Sequence, residues 1–470
     1  MVMITSTDYG DAPWRRLVSE HEMDRSWCVR RREDLLPGST TGGFTPLLAQ
    51  IDGGSPDRQK RRLKALSLGP TLGLLVDTLA RQLICDGVSH ASSAVTAEGQ
   101  EDDRDLSGLW EPWDRAGMST RQTALYREAL IDGEAYVVAL PSSRGFRLAP
   151  MPLSRVACDW GVDPSAEWPE AAALLDEDGE PWLYVDAHAY VDPETTEVVA
   201  THDAGVCPVV RYAPYMDLSG RCESLVDRLR IPARRHVKTV YDRLLIQHNN
   251  SWRVKTATGL DDPGSLEEAN RQKALLEHGS VLTGGDGVAF GSLPETSMQS
   301  VLEAERYDLS TLAALASVPS WALSGSQLVN LSADALAEAK SAERTHIQAL
   351  QTAFGRSHAS LLRLAAMLNG DYEAASDYGL RLDWRDTEAR SLSQAADALG
   401  KLSQSLGVPS ELLWGRIPGV SPAEAEEWRR WAEQHPSELE AYARALNEHE
   451  ASQSGSDNPA KVELDGSGEE

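Results

Sequence analysis

Ile347, Leu350, Phe354, Leu361, Leu364 and Leu368 fall on the two apolar positions of a sustained seven-residue repeat. That spacing keeps one stripe of a helix apolar over many turns, so it commits this part of the chain to a long helix buried along one side. Ser357 is the polar residue in the register, and Gly370 ends the run because glycine adopts the left-handed conformation that closes a helix. Shorter helices are expected beyond it, with Pro409, Pro418, Pro422 and Pro436 as punctuation. After about Glu450 the chain is polar and too poor in apolar residues to order itself. From Ser421 to Glu470 there are 13 acidic and 4 basic residues.

Upstream of this helical zone two others separate by pattern. To about Tyr215 the signals are mixed. Asp11-Ala12-Pro13 starts a helix through Val29, Pro70 opens one through Ile84, and Ser119 caps a third through Ile131. Ala135 to Leu140 reads as a buried strand, and Ala171 to Tyr212 as a meander with turns at Asp178-Gly179, Asp192-Pro193 and Asp203-Ala204-Gly205. Gly87 to Asp105, rich in Ser, Ala and acid, reads as a flexible loop. From about Arg221 to Ser317 helices flank Gly-rich material. Val237, Val240, Tyr241, Leu244, Leu245, His248 and Trp252 recur at helical spacing, with a kink or a helix start expected at Pro232. Gly279 to Gly291 reads as a small β element.

The 470 residues exceed one ordinary core, so two to four regions are expected. A formal net charge of -27 argues against a conventional nucleic-acid binder, which displays a basic footprint, but suits a wall that lets DNA pass without gripping it. The five cysteines form no C-x-x-C pair, which fits reduced thiols. The start lacks the apolar stretch of a signal peptide, and Leu66 to Ile84 is too interrupted to cross a bilayer, so the chain reads as cytosolic when made. Phosphate-cradling, dinucleotide, zincin and nucleophile-elbow motifs are all missing, so no catalytic site, cofactor or metal is expected. Glu338-Ala339-Lys340 is a nuclease-like string, but it sits in the Ala-rich run Ala333 to Ala342, where Glu and Lys are good helix formers.

Two stretches stand out. Leu225 to Lys255 carries eight basic residues (Arg228, Arg230, Arg234, Arg235, Lys238, Arg243, Arg253, Lys255) against Asp227 and Asp242. A solvated helix face is the plain account; packing against acidic neighbours in a ring, or contact with DNA phosphate, are the functional ones. Leu309 to Ala333 contains no charged residue and includes Pro319, Trp321, Gly325 and several neutral polar side chains. A buried connection competes there with a loop that touches a polyanion without holding it.

The order of motifs resembles the portal proteins of tailed phages, particularly siphophages of actinobacteria. The resemblance is carried by Leu72 to Gly87, Leu109-Trp-Glu-Pro-Trp113, Ala124 to Val138, Val209-Val210-Arg211-Tyr212, Glu223-Ser224-Leu225, Val318-Pro319, and Asn330 to Leu336 with the helix to Gly370. It implies an α+β subunit with an α/β wing (1–220), a first stem helix (221–250), a small β-containing clip (251–303) and a second stem helix (304–317). A tunnel loop (318–332), a long helix back through the wing (333–370), a helical crown (371–450) and an acidic disordered tail (451–470) would follow. The implied function is a ring-shaped channel of twelve subunits at one capsid vertex of the virion, assembled in the host cytoplasm, through which double-stranded DNA is packaged and ejected. The implied partners are the terminase large subunit, a head–tail adaptor, and the major capsid and scaffold proteins, with no membrane. By analogy of position, Gln327, Leu328, Val329 and Asn330 would face the DNA. Arg234, Arg235, Lys238 and Arg243 would contact DNA or a neighbouring subunit. Another minor head or connector protein, or a DNA-acting nuclease built on Glu338 and Lys340, are the alternatives. Two departures stand against the pattern: Gly220-Arg-Cys-Glu-Ser224 replaces a more compact start, and Ala333-Asp334 replaces a Ser-Gly.

Overall fold

The computed structural model describes residues 9, 12–35, 56–90, 107–143, 145–251, 255–258, 265–267, 287, 289–292, 297–324, 333–385, 392–417, 420 and 422–435. Their fold is α+β, as predicted. They divide into two units, one through Arg385 and one from Asp386 onward.

The first unit opens with α1 (Trp14–Leu35), α2 (Pro56–Ser67) and α3 (Thr71–Ala80). The stretch Leu63–Ala80 is apolar enough to span a membrane by composition, yet residues 68–70 are not helical and break it between α2 and α3. Leu72, Leu75, Val76 and Leu79 are buried in the core. Helix α3 stops at Ala80, short of Ile84, because strand β1 (Cys85–His90) follows. The loop expected from Gly87 therefore starts as a strand; residues 91–106 lie outside the described residues.

After α4 (Ser107–Arg115) comes α5 (Met118–Asp132). Ser119 does not cap α5; the N-cap is Gly117, at φ +63, with no side-chain cap bond. Gly133 ends the helix at φ +89. A Cβ there would sit 3.2 Å from the Glu223 carbonyl carbon and the Ser224 nitrogen, so only glycine allows this close approach.

Strand β2 (Ala135–Ser142) turns into β3 (Gly145–Pro152). The meander then runs β4 (Val156–Asp159), β5 (Ala171–Leu175), β6 (Pro181–Asp186), β7 (Ala189–Val191) and β8 (Val198–Thr201), each antiparallel to the next. The expected run to Tyr212 is not one meander. Strand β9 (Val209–Tyr212) leaves it and pairs with β2, Val137 opposite Val210. Alternation explains why β2 is central. Val137 and Ala139 enter the core with the helices, whereas Tyr136, Val138 and Leu140 enter a second core against the meander.

Helix α6 (Leu225–Ser251) continues through Pro232, so no helix start occurs there. The proline lacks the N–H that would bond the Arg228 carbonyl, but Leu225, Val226, Leu229 and Ala233 are all buried and hold the helix on both sides of it. Strands β10 (Lys255–Thr258) and β11 (Ala289–Ser292) form the small β element, Lys255 opposite Ser292. Val281 and Leu282, which the sequence places in it, lie outside the described residues.

Next are α7 (Gln299–Leu315), the short α8 (Trp321–Ser324) and α9 (Ala333–Asn369). The heptad reading of α9 holds: Ile347, Leu350, Phe354, Leu361 and Leu364 are buried, and Gly370 closes the helix at φ +78. Ser357 sits in the apolar register because its hydroxyl donates to the Arg211 carbonyl at 2.8 Å. Past α10 (Tyr372–Ala375) the chain forms strand β12 (Leu380–Trp384), not another helix. It pairs antiparallel with β1, Val88 opposite Leu382, so residues 372–384 belong to the first unit.

The second unit contains α11 (Leu392–Leu406), two short 3-10 turns and α12 (Pro422–Gln434). Leu413 and Ala425 are buried in it, and Trp414 meets Trp428 edge-on at 6.4 Å.

Candidate functional site

Helix α6 starts where Ser224 can cap it. The Ser224 hydroxyl accepts from the Asp227 N–H at 3.1 Å and donates to the Ile131 carbonyl at 2.5 Å, which ties the helix start to the end of α5. Asp227 then takes both Nε and Nη2 of Arg31 on α1, at 2.9 and 2.6 Å. Arg230 reaches back to Asp34 at 2.7 Å and lies over the Trp27 ring. The root of α6 is thus clamped by two charged hydrogen-bonded links to α1.

Farther along, α6 pairs with α7. Buried Asp308 of α7 accepts from Arg235 Nε at 2.7 Å and from the Thr239 hydroxyl at 2.6 Å. One turn on, Arg243 faces Glu305 at 3.2 Å. Between these pairs burial lowers the pKa of His236, so its ring is neutral near pH 7. The two helices are held by a short ladder of opposite charges over a half-buried apolar seam.

The ladder accounts for most of the basic stretch. Arg228 pairs with Glu223, Arg230 and Arg234 with Asp34, Arg235 with Asp308, Lys238 with Asp242 and Arg243 with Glu305. Every basic side chain of α6 therefore has a carboxylate partner within the chain. The side chains differ in exposure: Arg234 is 69% and Lys238 66% exposed, Arg235 51%, and Arg243 31%. Arg253 and the Lys255 side chain lie outside the described residues, as do Gln327, Leu328, Val329 and Asn330.

The approach to that last segment is described. Helix α7 ends with the Val318 N–H bonded back to the Ala313 carbonyl at 2.9 Å, which requires Ser317 at φ +55. The Ala316 carbonyl accepts from His346 Nδ1 on α9 at 3.1 Å. That fixes the tautomer, so His346 Nε2 accepts from the Tyr215 hydroxyl at 2.7 Å. Val318 and Pro319 are buried beyond it. Asp34, Glu305, Asp308 and His346 are the residues that sequence reasoning missed. Asp308 and Glu305 are three apart on one helix, but no local signal names their partners.

Of the nuclease-like string, Lys340 is exposed on α9, and the side chains of Ala339 and Glu338 lie outside the described ones. Among the described residues no group of three or more His, Cys, Asp or Glu is placed to hold a metal ion.

Residues 175–439 match the family model for "Phage portal protein, SPP1 Gp6-like", more than half of the chain. The chain belongs to that phage portal family. The portal protein is thereby placed in a family of structural proteins. Among solved structures, it is similar to a chain from "Virion of native gene transfer agent (GTA) particle" at 14% identity and TM-score 0.50, over 79% of this chain and 95% of that one. This likeness shows the fold. It is also similar, at 14% identity and TM-score 0.46, to a chain from "Neck of native GTA particle computed with C12 symmetry", over 80% and 93% of the two chains. An HK97 family phage portal protein from Corynebacterium diphtheriae matches at 14% identity and TM-score 0.36, over 69% and 95%. No curated protein matches the portal protein.

Proposed function

We propose that this portal protein assembles into a twelve-membered ring at one capsid vertex of the virion, and that DNA enters and leaves through its centre. Family membership over more than half of the chain carries the reading. In this reading residues 1–220 with β12 are the wing, α6 and α7 the stem, 251–303 the clip and α9 the helix leading back through the wing. The segment 318–332 is the tunnel loop, with Gln327, Leu328, Val329 and Asn330 toward DNA. The second unit is the crown. The ring assembles in the host cytoplasm and docks the terminase large subunit, then a head–tail adaptor, within a shell of capsid and scaffold proteins.

The charge pattern supports a channel that does not hold its cargo. Many fixed cations would bind phosphate tightly, whereas the stem cations here are matched by carboxylates and the chain carries -27 overall. Closed rings join unlike faces of successive subunits, and the exposed heads of Arg234 and Lys238 are available for such a contact.

The test is native mass spectrometry with electron microscopy of the purified protein. A mass near twelve times 51.2 kDa with an open central hole is expected. A chain that stays monomeric at high concentration and with scaffold protein present would overturn the reading.

A further inference from the structure

From Val156 to Val210 the chain has 13 Asp and Glu residues and not one Lys or Arg. This span builds the whole five-stranded meander, β4 to β8, and its last strand is an open edge. Among the described residues no strand pairs with the outer side of β8. The His202 N–H donates inward to the His188 carbonyl at 2.9 Å, and Thr201 lies opposite Ala189. Backbone groups alternate along an antiparallel edge, so those of Thr201 point outward. Val199 is 58% exposed beside it.

Proteins commonly guard such an edge with lysine or proline, and β8 has neither. A groove of about 500 Å³ runs along it. Thr201 and Asp203 line it, with Leu368 and Gly370 around the end of α9 and Ser142 and Gly145 of the β2–β3 hairpin. Among the described residues no Lys or Arg lines it (Arg144, between Ser142 and Gly145, lies outside them), and the end of α9 contributes the negative pole of a long helix. His202 donates through Nε2 to the Asp186 carbonyl at 3.1 Å, which leaves Nδ1 as a buried acceptor without a partner. The groove therefore offers an unpaired strand edge, with Asp203 and the end of α9 as its negative features.

We propose that the open edge of β8 and the groove beside it dock an extended, lysine- and arginine-bearing segment of a second protein, which adds a strand to the meander. Charge complementarity selects this occupant. DNA is repelled by the acidic span, and two copies of the same edge, each flanked by Glu197 and Asp203, repel one another. Main-chain bonds to Thr201 would give affinity, and the acidic rim would select cationic side chains. The inference does not depend on the channel reading, because it concerns only the surface of the meander.

Hydrogen exchange of the full-length assembled protein tests it, with a ten-residue peptide of alternating lysine and valine as probe. Exchange over 198–203 and 367–372 is expected to slow at least tenfold on adding the peptide, and not with an alternating glutamate–valine peptide. Asp203→Lys should weaken binding at least tenfold, and Thr201→Pro, which removes the outward N–H, should abolish it. Glu177→Lys, on the exposed β5–β6 turn, should change it less than twofold. Equal weakening by Glu177→Lys would reveal general attraction to an acidic surface and overturn the proposal. So would an edge already protected in the free protein, which would mean a second copy occupies it, or displacement of the peptide by a duplex oligonucleotide.

Discussion

His358 sits between two phenols. Tyr126 Oη is 2.5 Å from its Nε2 and Tyr212 Oη 2.8 Å from its Nδ1. Tyr126 donates onward to Gln122 Oε1 at 3.2 Å, so it accepts from Nε2–H and Tyr212 donates to Nδ1. Gln122 in turn accepts from the Cys85 N–H at 2.8 Å, which extends the chain of bonds from α9 through α5 to β1. Burial lowers the His358 pKa to about 3, so the ring stays neutral. Tyr212→Phe leaves Nδ1 unpaired and should cost about 1–3 kcal/mol in urea unfolding. Asp132 has the opposite titration. Burial raises its pKa from 3.8 to about 6, against the attraction of Arg32 and Arg31. The folded chain keeps this proton up to about pH 6 while the unfolded chain releases it near 3.8. Stability from this group is thus present at low pH and lost as pH rises through 6. Between pH 4 and pH 7, Asp132→Asn should gain about 2–3 kcal/mol relative to the parent, read from unfolding curves at both values. Ser317 holds a left-handed φ that glycine adopts freely, so Ser317→Gly should raise stability by about 1 kcal/mol. None of this was legible in the sequence, where the histidines are merely dispersed. A hydrogen-bond chain across three elements leaves no spacing signal in any one of them.

At the scale of elements, the long helices were legible and the short strands less so. The α9 register was readable because its period repeats over many turns, and even Ser357 fitted it. Strand β12 reads Leu-Arg-Leu-Asp-Trp, a plain alternation, yet five residues beside a long helical run look like more helix. Its partner is remote: Ser89 bonds Asp383 across 294 residues. For the α6–α7 pair, the cations of α6 were visible and their partners on α1 and α7 were not. Arg235→Ala should therefore cost more than the mirror change. It leaves the buried Asp308 carboxylate without its cation and should lose about 3–5 kcal/mol, with faster exchange over 299–315. Asp308→Ala frees a guanidinium that is already half-exposed and can turn to water, so it should cost less than half of that.

At the scale of the whole molecule the acidic balance was visible from composition, and its distribution was not. The basic stretch of α6 looks like a local excess of charge in sequence, but in three dimensions it is matched by Asp34, Glu223, Glu305 and Asp308. The assembled protein should therefore fail to retard duplex DNA in a gel at about 0.15 M salt. Retardation that vanished in Arg234→Ala/Lys238→Ala would show that these cations hold phosphate after all. The pairing of β1 with β12 has a consequence for how the chain is made. Strand β1 leaves the ribosome early and waits for Leu380–Trp384, and the main core of the first unit also needs Leu350, Phe354 and Leu361 of α9. Helices α6 and α7 are thus synthesised before the body that anchors them can close. Nascent chains cut short of residue 384 should lack a finished first unit, so the need to complete translation itself delays subunit association until each protomer is whole.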